Sequence, residues 1–375
     1  MYDIVKMAAA DVRPLRNPTS AHPFDALPSA VHLGACREGQ LVGVVSALPV
    51  DPTEDGEPRR RVVLGPFGEA RSQLRDAIEA ACPGLRLWTD LSEVRRRPGM
   101  YIGRIEDAER LAVEAIDNVL DEHVAGHATE LVVTVEPDGS VRIADDGRGI
   151  PPAAVVQVCL ELHRTRSWDG HEPHVHLQPQ GMGLAVVNAL SAWLVVESRR
   201  AGVHTSTVFS RGRLLQGPME VGPSEETGTV VRFLPDPAIF RSSRLDLRPV
   251  LSRAAYLCPA LHVVLNGEDL SQPDGLDALV RSWSVYGGAV ERLEGGDDVR
   301  TVRIARDPCG AGPQRMWVNL TPVVEGDTLD VVRALHGDAT LAIDVRHRDP
   351  QLDGRSGSGI SDPALTVLLL ELLGS

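Results

Sequence analysis

Lysine is almost absent from this chain of 375 residues. Among the 38 basic residues only Lys6 is a lysine, and every other one is an arginine. Chemistry that needs a lysine beyond position 6 is therefore excluded, and the planar, forked guanidinium of arginine is not equivalent to an ammonium group. The formal net charge of −14 also argues against a large nonspecific DNA-binding surface.

Paired cysteines and long apolar runs are missing as well. The five cysteines are scattered without a Cys-x-x-Cys pair, which argues against a disulfide framework or a zinc site. The N-terminus lacks the basic start and apolar run of a signal peptide, and the sequence has no 18-residue apolar stretch for a membrane span. We therefore expect a soluble, cytoplasmic protein.

The composition divides the chain into three segments. A length of 375 residues is typical of two or three domains. Residues 1–88 are an N-terminal α/β extension of unknown role, with a β-hairpin predicted over residues 31–49 and a helix over residues 73–81. Residues 89–285 and residues 286–375 each alternate helical and strand patterns. This pattern predicts an α+β fold with a mostly antiparallel sheet.

Individual elements follow from the periodicity of apolar residues. In the second segment it predicts helices over residues 111–124 and 184–193, and strands over residues 130–135, 140–144, 194–198, 205–210 and 229–234. In the third segment it predicts helices over residues 329–335 and 364–373, and strands over residues 299–305, 315–320 and 340–345.

The first helix of the second segment carries Glu114-Ala-Ile-Asp-Asn118. Residues four apart share one face of a helix, so Glu114 and Asn118 can face the same pocket. A glutamate there can orient and deprotonate a water for ATP hydrolysis, and an amide oxygen can ligate Mg²⁺. Asp121 and Glu122 continue this helix, and an ordinary acidic helix surface would explain the segment if it stood alone.

A second motif, Asp145-Asp-Gly-Arg148-Gly149-Ile150-Pro151, follows a predicted strand. The Asp145 carboxylate can accept a hydrogen bond from the adenine amino group. The two glycines allow a close approach of the backbone to a base. We expect Arg148 to pair with Glu122 and close one wall of the pocket. An Asp-Gly pair is also common in simple β-turns.

Two further motifs are weak when taken singly. Gly181-Met182-Gly183 precedes a predicted helix, where backbone N–H groups attract phosphate. Thr227-Gly228-Thr229 opens a predicted strand, and the Thr229 hydroxyl could reach adenine directly or through a water.

The order of these four motifs resembles the GHKL ATPases, and in particular the ATPase region of type II topoisomerase B subunits. Residues 94–103, Val-Arg-Arg-Arg-Pro-Gly-Met-Tyr-Ile-Gly, are similar to the entry motif of that subfamily, and residues 186–191, Val-Val-Asn-Ala-Leu-Ser, add to the resemblance. It implies a Bergerat-type ATP-binding sandwich over residues 89–285 and a transducer-like α/β domain over residues 286–375.

The resemblance also implies roles for individual residues, with ATP and Mg²⁺ as cofactors. Glu114 would be the general base and Asn118 the Mg²⁺ ligand. The remaining residues implied in nucleotide binding are Asp121, Asp145, Arg148, Gly149, Ile150, Pro151, Gly181, Met182, Gly183, Thr229 and Arg355.

The pattern of the family is broken in the third segment. Transducer domains of the subfamily carry a lysine that reaches the γ-phosphate, and the matching position here is Gly357. Arg355 is the nearest cation, so slow hydrolysis is expected. The chain stops before a Toprim domain could follow, and we expect it not to be a topoisomerase by itself.

Three functions remain open at this point. The first is a slow, Mg²⁺-dependent gyrase-B-like ATPase that forms a nucleotide-dependent homodimer, with a gyrase-A-like protein as a further candidate partner. The second is ATP-dependent transfer to a small molecule, for which the histidine-rich residues 162–183 and the N-terminal residues 1–88 could build an acceptor site. The third is a non-catalytic protein that binds gyrase or its inhibitors, because Arg148 lies in the loop that coumarin-type inhibitors contact in the resembling family. DNA binding is not expected, and neither is membrane binding.

Overall fold

The structure is a computed structural model, and it describes most of the chain beyond residue 90 but only strands before it. The described residues are 3–7, 31–37, 40–49, 60–64, 91–103, 108–162, 183–240, 245–348, 350, 352–353 and 359–374. Several predictions lie outside these residues, namely the helix over residues 73–81, Gly181, Met182, Arg355 and the histidines between residues 162 and 183.

The N-terminal segment contains a four-stranded antiparallel sheet. Its strands are β1 (Asp3–Met7), β2 (Val31–Arg37), β3 (Gln40–Pro49) and β4 (Arg60–Leu64), which pair in chain order. The hairpin of β2 and β3 begins at the pair Arg37 and Gln40. The hairpin predicted over residues 31–49 is therefore confirmed.

The second segment is built on an eight-stranded sheet. Its strands are β5 (Glu130–Val135), β6 (Val141–Asp145), β7 (Ser191–Arg200), β8 (Val203–Ser210), β9 (Arg213–Pro223), β10 (Gly228–Pro235), β11 (His262–Leu265) and β12 (Glu268–Asp269). The spatial order is β12-β11-β5-β6-β10-β7-β8-β9. Only β11 and β5 pair in parallel, so the predicted mostly antiparallel sheet is confirmed.

Helices of the second segment pack with this sheet around one apolar core. They are α1 (Ser92–Arg96), α2 (Gly99–Ile102), α3 (Glu109–Val124), α4 (Pro152–Leu160), α5 (Gly183–Leu190), α6 (Arg248–Leu257) and α7 (Gly275–Trp283). Helix α3 buries Leu111, Ala115, Ile116 and Val119 and contacts α5 and β6. Burying that apolar face fixes the helix against the sheet and leaves its polar face for a ligand.

The turn between β5 and β6 places the loop that follows β6. Gly139 has a φ of +83°, which favours glycine, and the Ser140 N–H donates to Asp138 Oδ1 over 2.9 Å. The register then sets Leu131 opposite Asp145. A tight turn at residues 137–139 therefore connects the two strands.

The third segment is a five-stranded sheet covered by two helices. Its elements are β13 (Glu291–Gly296), β14 (Arg300–Asp307), β15 (Gln314–Val318), β16 (Thr321–Val323), α8 (Asp327–Leu335), β17 (Thr340–His347), β18 (Leu352–Asp353), β19 (Gly359–Ile360) and α9 (Pro363–Leu373). The sheet order is β13-β14-β17-β15-β16, and β18 pairs with β19. The predicted strands and helices of this segment are present within a few residues of their predicted ends.

Helix α7 joins the second and third segments. It contacts β14 and β17, and Trp283 at its end stacks on Trp317 with ring centroids 6.2 Å apart. The domain boundary predicted between residues 285 and 286 stays a prediction.

Arginines of the third sheet also hold the end of α6. Arg303 donates to the Leu257 carbonyl over 2.8 Å and to the buried carboxylate of Asp344. Arg346 donates to the same carbonyl over 3.3 Å. The two sheets are therefore tied at α6 as well as at α7.

One predicted helix ends early, and others were not predicted. The helix predicted over residues 184–193 ends at Leu190, because Ser191 already pairs with Pro235 as the start of β7. The elements that were not predicted include α4, α6, α7 and β9. In the part of the chain that the structure describes, no helix has both the length and the apolar character of a membrane span.

Candidate functional site

The polar face of α3 forms the floor of the candidate site. Asn118 is exposed, and its side-chain nitrogen donates to the Glu114 carbonyl over 3.1 Å, so its amide oxygen points away from the helix backbone. Asp117 and Asp121 are buried, and each has a partner within the protein. Asn118 is thus placed to meet a ligand, whereas the predicted ligand contact of Asp121 is not tested by this geometry.

Glu114 lies between Arg110 of the same helix and the start of α5. Its Oε1 is 3.2 Å from Nη2 of Arg110, one turn earlier on α3. Its Oε2 faces Gly183 at the start of α5, where a Cβ would lie 3.3 Å from that oxygen. The structure therefore brings Glu114 and Gly183 together.

Asp145 ends β6 and has two differently placed oxygens. Oδ1 accepts hydrogen bonds from the N–H groups of Gly147 over 2.9 Å and Thr229 over 3.2 Å. Among the described residues no hydrogen bond is made to Oδ2, and Asp145 as a whole is half-buried. Burial raises the pKa of Asp145 to about 7; the two N–H groups oppose that rise, and the charges of Glu122 and Asp146 add to it.

Arg148 and Glu122 make the ion pair that the sequence predicted. Arg148 donates through Nη2 to Glu122 Oε1 over 2.6 Å and through Nε to Oε2 over 3.0 Å, which is bidentate geometry. Burial alone would raise the pKa of Glu122, but the hydrogen bonds from Arg148 bring it below its usual range. The pair fixes the loop after β6 to α3.

The loop is held on its other side by β5 and β7. Asp146 accepts from the N–H groups of Thr129 over 2.7 Å and Glu130 over 2.9 Å. Ser198 donates through its hydroxyl to the Ile150 carbonyl over 2.7 Å. Because both sides are anchored, the half-buried Ile150 and Pro151 are presented on a rigid loop.

Two glycines permit the close packing around Asp145. Gly149 has a φ of +70°, and a Cβ there would lie 2.3 Å from the Arg199 carbonyl oxygen. Gly228 has a φ of +136°, and a Cβ there would lie 2.1 Å from the Asp145 carbonyl oxygen. These contacts set β10 against the loop and place the buried Thr229 next to Asp145.

The site has two chemically different ends along one helix. Asp145 lies beside Glu122, and Gly183 lies beside Glu114. The two glutamates are eight positions apart on α3, a rise along the helix of roughly 12 Å. The arrangement suits an elongated ligand with a hydrogen-bond donor at one end and negative charge at the other.

An open cavity of about 380 Å³ adjoins the Asp145 end, and it is lined by His127, Gly147, Arg148, Arg200, Ala201 and Thr227. Arg200 donates to the carbonyl oxygens of Arg148 and Gly149, both over 3.0 Å. In the parts of the chain that the structure describes, no cluster of three or more His, Cys, Asp or Glu side chains could hold a metal ion.

Sequence reasoning missed three contributors to this site, namely Arg110, Ser198 and Arg200. Arg110 could have been found, because it stands four residues before Glu114 and the two must share a helix face. Ser198 and Arg200 could not, because their roles depend on the pairing of β7 with β10, which brings β7 next to the loop.

Comparisons with known proteins find similarity to one group of ATPases. The family described as "Histidine kinase-, DNA gyrase B-, and HSP90-like ATPase" matches residues 103–239. The DNA gyrase B protein of Thermus thermophilus is 40% identical over 195 residues, which cover 48% of this chain and 31% of that protein. The gyrase B protein of Mycobacterium tuberculosis is 36% identical over 208 residues, which cover 52% of this chain and 31% of that protein. The matches thus span about a third of the length of these relatives.

Solved structures extend the similarity over more of the chain. The 43K ATPase domain of Thermus thermophilus gyrase B, solved in complex with an aminocoumarin, aligns with a TM-score of 0.59 and 27% identity, over 76% of this chain and 90% of that one. The gyrase B protein of Myxococcus xanthus aligns with a TM-score of 0.64 and 20% identity over 76% of this chain and 93% of that one, and it supports the fold alone.

Proposed function

Because residues 103–239 belong to the histidine kinase-, DNA gyrase B-, and HSP90-like ATPase family, we propose that this protein binds ATP with Mg²⁺ and hydrolyses it slowly. The observation that carries the proposal is Asp145, a carboxylate with one oxygen held by two backbone N–H groups and the other without a hydrogen bond from the described residues. The proposed site is gyrase-B-like, and the proposed activity does not include DNA cleavage.

At the base end, Oδ2 of Asp145 accepts a hydrogen bond that the adenine amino group donates. Thr229 is held next to it, and its hydroxyl offers a second polar contact to the base. Ile150 and Pro151 supply an apolar wall, and Arg148 closes the pocket through its pair with Glu122.

At the phosphate end, α3 and α5 supply the functional groups. Asn118 would hold Mg²⁺ through its amide oxygen, an oxygen donor of the kind that this ion prefers, and the ion supplies positive charge to the phosphates when it is bound. The backbone at Gly183, together with the predicted contacts of Gly181 and Met182, binds the phosphates at a helix N-terminus. Glu114 orients the attacking water and accepts its proton.

Slow turnover follows from the composition. No lysine exists beyond Lys6 to pair with the γ-phosphate, and Arg355 offers only a planar fork in its place. We further propose that nucleotide binding closes a homodimer in the cytoplasm. Sedimentation with and without a nonhydrolysable nucleotide measures that step.

The test is calorimetry with Mg²⁺ and a nonhydrolysable ATP analogue. The wild-type protein binds, Asp145→Ala loses binding by at least about 100-fold, and the exposed turn variant Asp298→Ala binds like the wild type. Glu114→Gln keeps binding and loses phosphate release. A well-folded wild-type protein that gives no heat of binding refutes the proposal.

The alternative phosphotransferase is tested with γ-³²P-ATP. Transfer of the label to an acceptor molecule instead of water would identify that activity.

A second candidate function is the binding of a gyrase inhibitor without any need for turnover. The open cavity beside Arg148 and Arg200 favours it, because two arginines and an apolar edge at Ala201 suit a planar, polar inhibitor. In this case an aminocoumarin binds the wild-type protein, and Arg200→Gln weakens that binding about tenfold, whereas the exposed control Arg232→Gln does not. Equal affinity of all three proteins removes this candidate.

A further inference from the structure

A group of arginines lies on the surface of the second segment, away from the candidate site. Three of them end or directly follow α1 and two flank the turn between β8 and β9, and together they form the arginine patch: Arg95, Arg96, Arg97, Arg211 and Arg213. The turn packs on the start of α1, since a Cβ at Gly212 would lie 2.9 Å from Cβ of Leu91. Arg95 donates to the carbonyl of Ala189 over 2.7 Å, at the opposite end of α5 from the one that Glu114 faces.

A buried carboxylate draws the two parts of the patch together. Asp236 is fully buried, and its Oδ2 accepts hydrogen bonds from Nη2 of Arg95 over 2.6 Å and from Nε of Arg211 over 2.9 Å. Burial alone would raise the pKa of Asp236, but the N–H of Ala238 and the two arginines bring it below its usual range. One ionised oxygen therefore serves two guanidinium groups.

The patch carries more positive charge than its neighbours balance. Arg96 and Arg97 share Glu93, and their side chains are 62% and 66% exposed. Arg213 is exposed and pairs with no carboxylate among the residues that the structure describes. Five arginines against Glu93 and Asp236 give a local formal charge of +3, on a chain whose net charge is −14.

Local structure accounts for only part of this cluster. Cations at the end of a helix interact favourably with its dipole, which explains Arg95 and Arg96 in the last turn of α1. Arg211 has a φ of +48°, a backbone conformation that glycine and asparagine adopt more readily than arginine. The side chain, and not the backbone of the turn, is therefore the reason for an arginine at this position.

The chain itself contains a segment of complementary charge. Residues 50–59, Val-Asp-Pro-Thr-Glu-Asp-Gly-Glu-Pro-Arg, join β3 to β4 and hold four acidic residues and one basic residue. We call them the acidic segment. Residues 65–91 then connect β4 to α1, which carries the patch. A tether of this kind gives the acidic segment a local concentration on the order of 1 mM at the patch.

A long polyanion fits the patch less well than a short acidic segment does. The net charge of −14 repels nucleic acid at long range, whereas four carboxylates on the same chain match the local charge of +3. Exposed ion pairs contribute little when single, and a tethered segment with several carboxylates does not need strong individual pairs.

We propose that the arginine patch is the docking surface for the acidic segment of the same chain, and that this contact holds residues 1–88 against α1 and the β8–β9 turn. The inference is independent of the proposed function, because neither nucleotide nor the candidate site takes part in the contact. It gives the N-terminal segment a place on the ATPase-like domain.

The scarcity of lysine makes a direct test possible. In the full-length protein, Arg213→Lys adds one amine within the patch to a chain whose only other side-chain amine is that of Lys6. A carbodiimide joins an amine to a carboxylate that touches it, and mass spectrometry of the digested protein identifies the acid. Arg281→Lys is the matched control, because Arg281 is 51% exposed and pairs with Asp274.

The expected result is a link within one chain from position 213 to an acid of the acidic segment. Raising the salt from 0.1 M to 1 M lowers the yield at least about fivefold, because the Debye length falls from about 10 Å to about 3 Å. Adding Arg96→Gln and Arg97→Gln lowers the yield about threefold while Tm stays within about 2 °C, since exposed charges contribute little to folding. The control couples to Asp274 and not to the acidic segment.

Other outcomes overturn the inference. A link found only between two chains, seen as a dimer on a denaturing gel, means that a second copy occupies the patch. A link to acids outside residues 50–59, or no link from position 213, means that the acidic segment does not dock there. Binding of a DNA duplex at 0.15 M salt that Arg96→Gln/Arg97→Gln abolishes means that the patch is a nucleic-acid surface. Calorimetry with nucleotide stays a separate measurement, so none of these outcomes decides the proposed function.

Discussion

Asp145 should make the unliganded protein less stable as the pH rises from 5 to 8. Burial raises the pKa of this carboxyl from 3.8 to about 7, and the nearby charges of Glu122 and Asp146 act in the same direction. The folded state therefore keeps a proton that the unfolded chain has already lost. Because Oδ2 of Asp145 is the oxygen proposed to read adenine, this titration is a direct test of the site.

The sign and the size follow from proton linkage. Between pH 3.8 and about 7 the folded state binds more protons than the unfolded state, so the free energy of unfolding falls as the pH rises and levels off above 7. For these two pKa values, the integrated contribution of Asp145 between pH 5 and pH 8 is a loss of about 2.5 kcal/mol.

The assay is urea unfolding of the wild type and Asp145→Asn at pH 5, 6, 7 and 8. Asparagine keeps an acceptor for the N–H groups of Gly147 and Thr229 but cannot ionise. Other carboxylates titrate in both proteins and largely cancel, so the difference in unfolding free energy isolates Asp145. Relative to the wild type, the free energy of unfolding of Asp145→Asn should rise by about 2.5 kcal/mol between pH 5 and pH 8.

A bound nucleotide should flatten the same curve. An adenine amino group donates to the ionised carboxylate and favours it, so saturating Mg²⁺ and a nonhydrolysable analogue should lower the pKa of Asp145 in the folded wild type. A difference between the two apo proteins that stays constant within about 0.5 kcal/mol from pH 5 to pH 8 refutes the reasoning. A normal titration with nucleotide binding intact would mean that Asp145 is better solvated than its packing indicates.

Three further changes test the packing around the site. Gly228→Ala should lower the free energy of unfolding in urea by about 3 kcal/mol or more, because its Cβ would lie 2.1 Å from a backbone oxygen at a φ of +136°. Gly202→Ala has open space around it and should lower the free energy of unfolding by about 1 kcal/mol. Arg148→Gln should lower the free energy of unfolding by about 1 kcal/mol and the nucleotide affinity, measured by calorimetry, about tenfold, because its partly buried pair with Glu122 anchors the loop to α3. Asp344→Asn should lower the free energy of unfolding in urea by about 2 kcal/mol, because Arg303 loses its buried, negatively charged partner. A decrease of less than about 0.5 kcal/mol contradicts that expectation.

The fold was predictable wherever one periodicity dominates a segment. The helix predicted over residues 111–124 and the strand predicted over residues 130–135 match α3 and β5 closely, because their apolar spacing fits one element only. The run of residues 184–193 is apolar almost throughout and fits a helix and a buried strand equally. The change from α5 to β7 at Ser191 is set by pairing with β10, which the local sequence does not encode.

Other elements were missed because their apolar residues carry a weak local pattern. Helix α4 begins with Pro152 at its first turn, a start signal that could have been used. Strand β9 is an edge strand whose Leu215, Met219 and Val221 are exposed, so burial does not impose an alternating pattern on it.

The candidate site was predictable as a set of local motifs but not as an arrangement. Glu114, Asn118 and Asp145 follow from short segments, and the predicted pair of Arg148 with Glu122 is present in the structure. The contact of Gly183 with Glu114 needs the packing of α3 on α5, which joins residues far apart in the chain. The ligand roles of all these residues stay predictions.

Helix α3 makes the two ends of the site depend on one another. Glu122 holds Arg148 and, through its charge, raises the pKa of Asp145. Two turns earlier on the same helix, Glu114 faces the start of α5. Because the apolar face of α3 is buried, the two glutamates keep a fixed spacing along the helix. The base site proposed at Asp145 and the catalytic role proposed for Glu114 therefore both refer to one rigid element. A rigid reference of this kind is what in-line attack on a terminal phosphate requires, since small displacements of a catalytic group reduce the rate steeply.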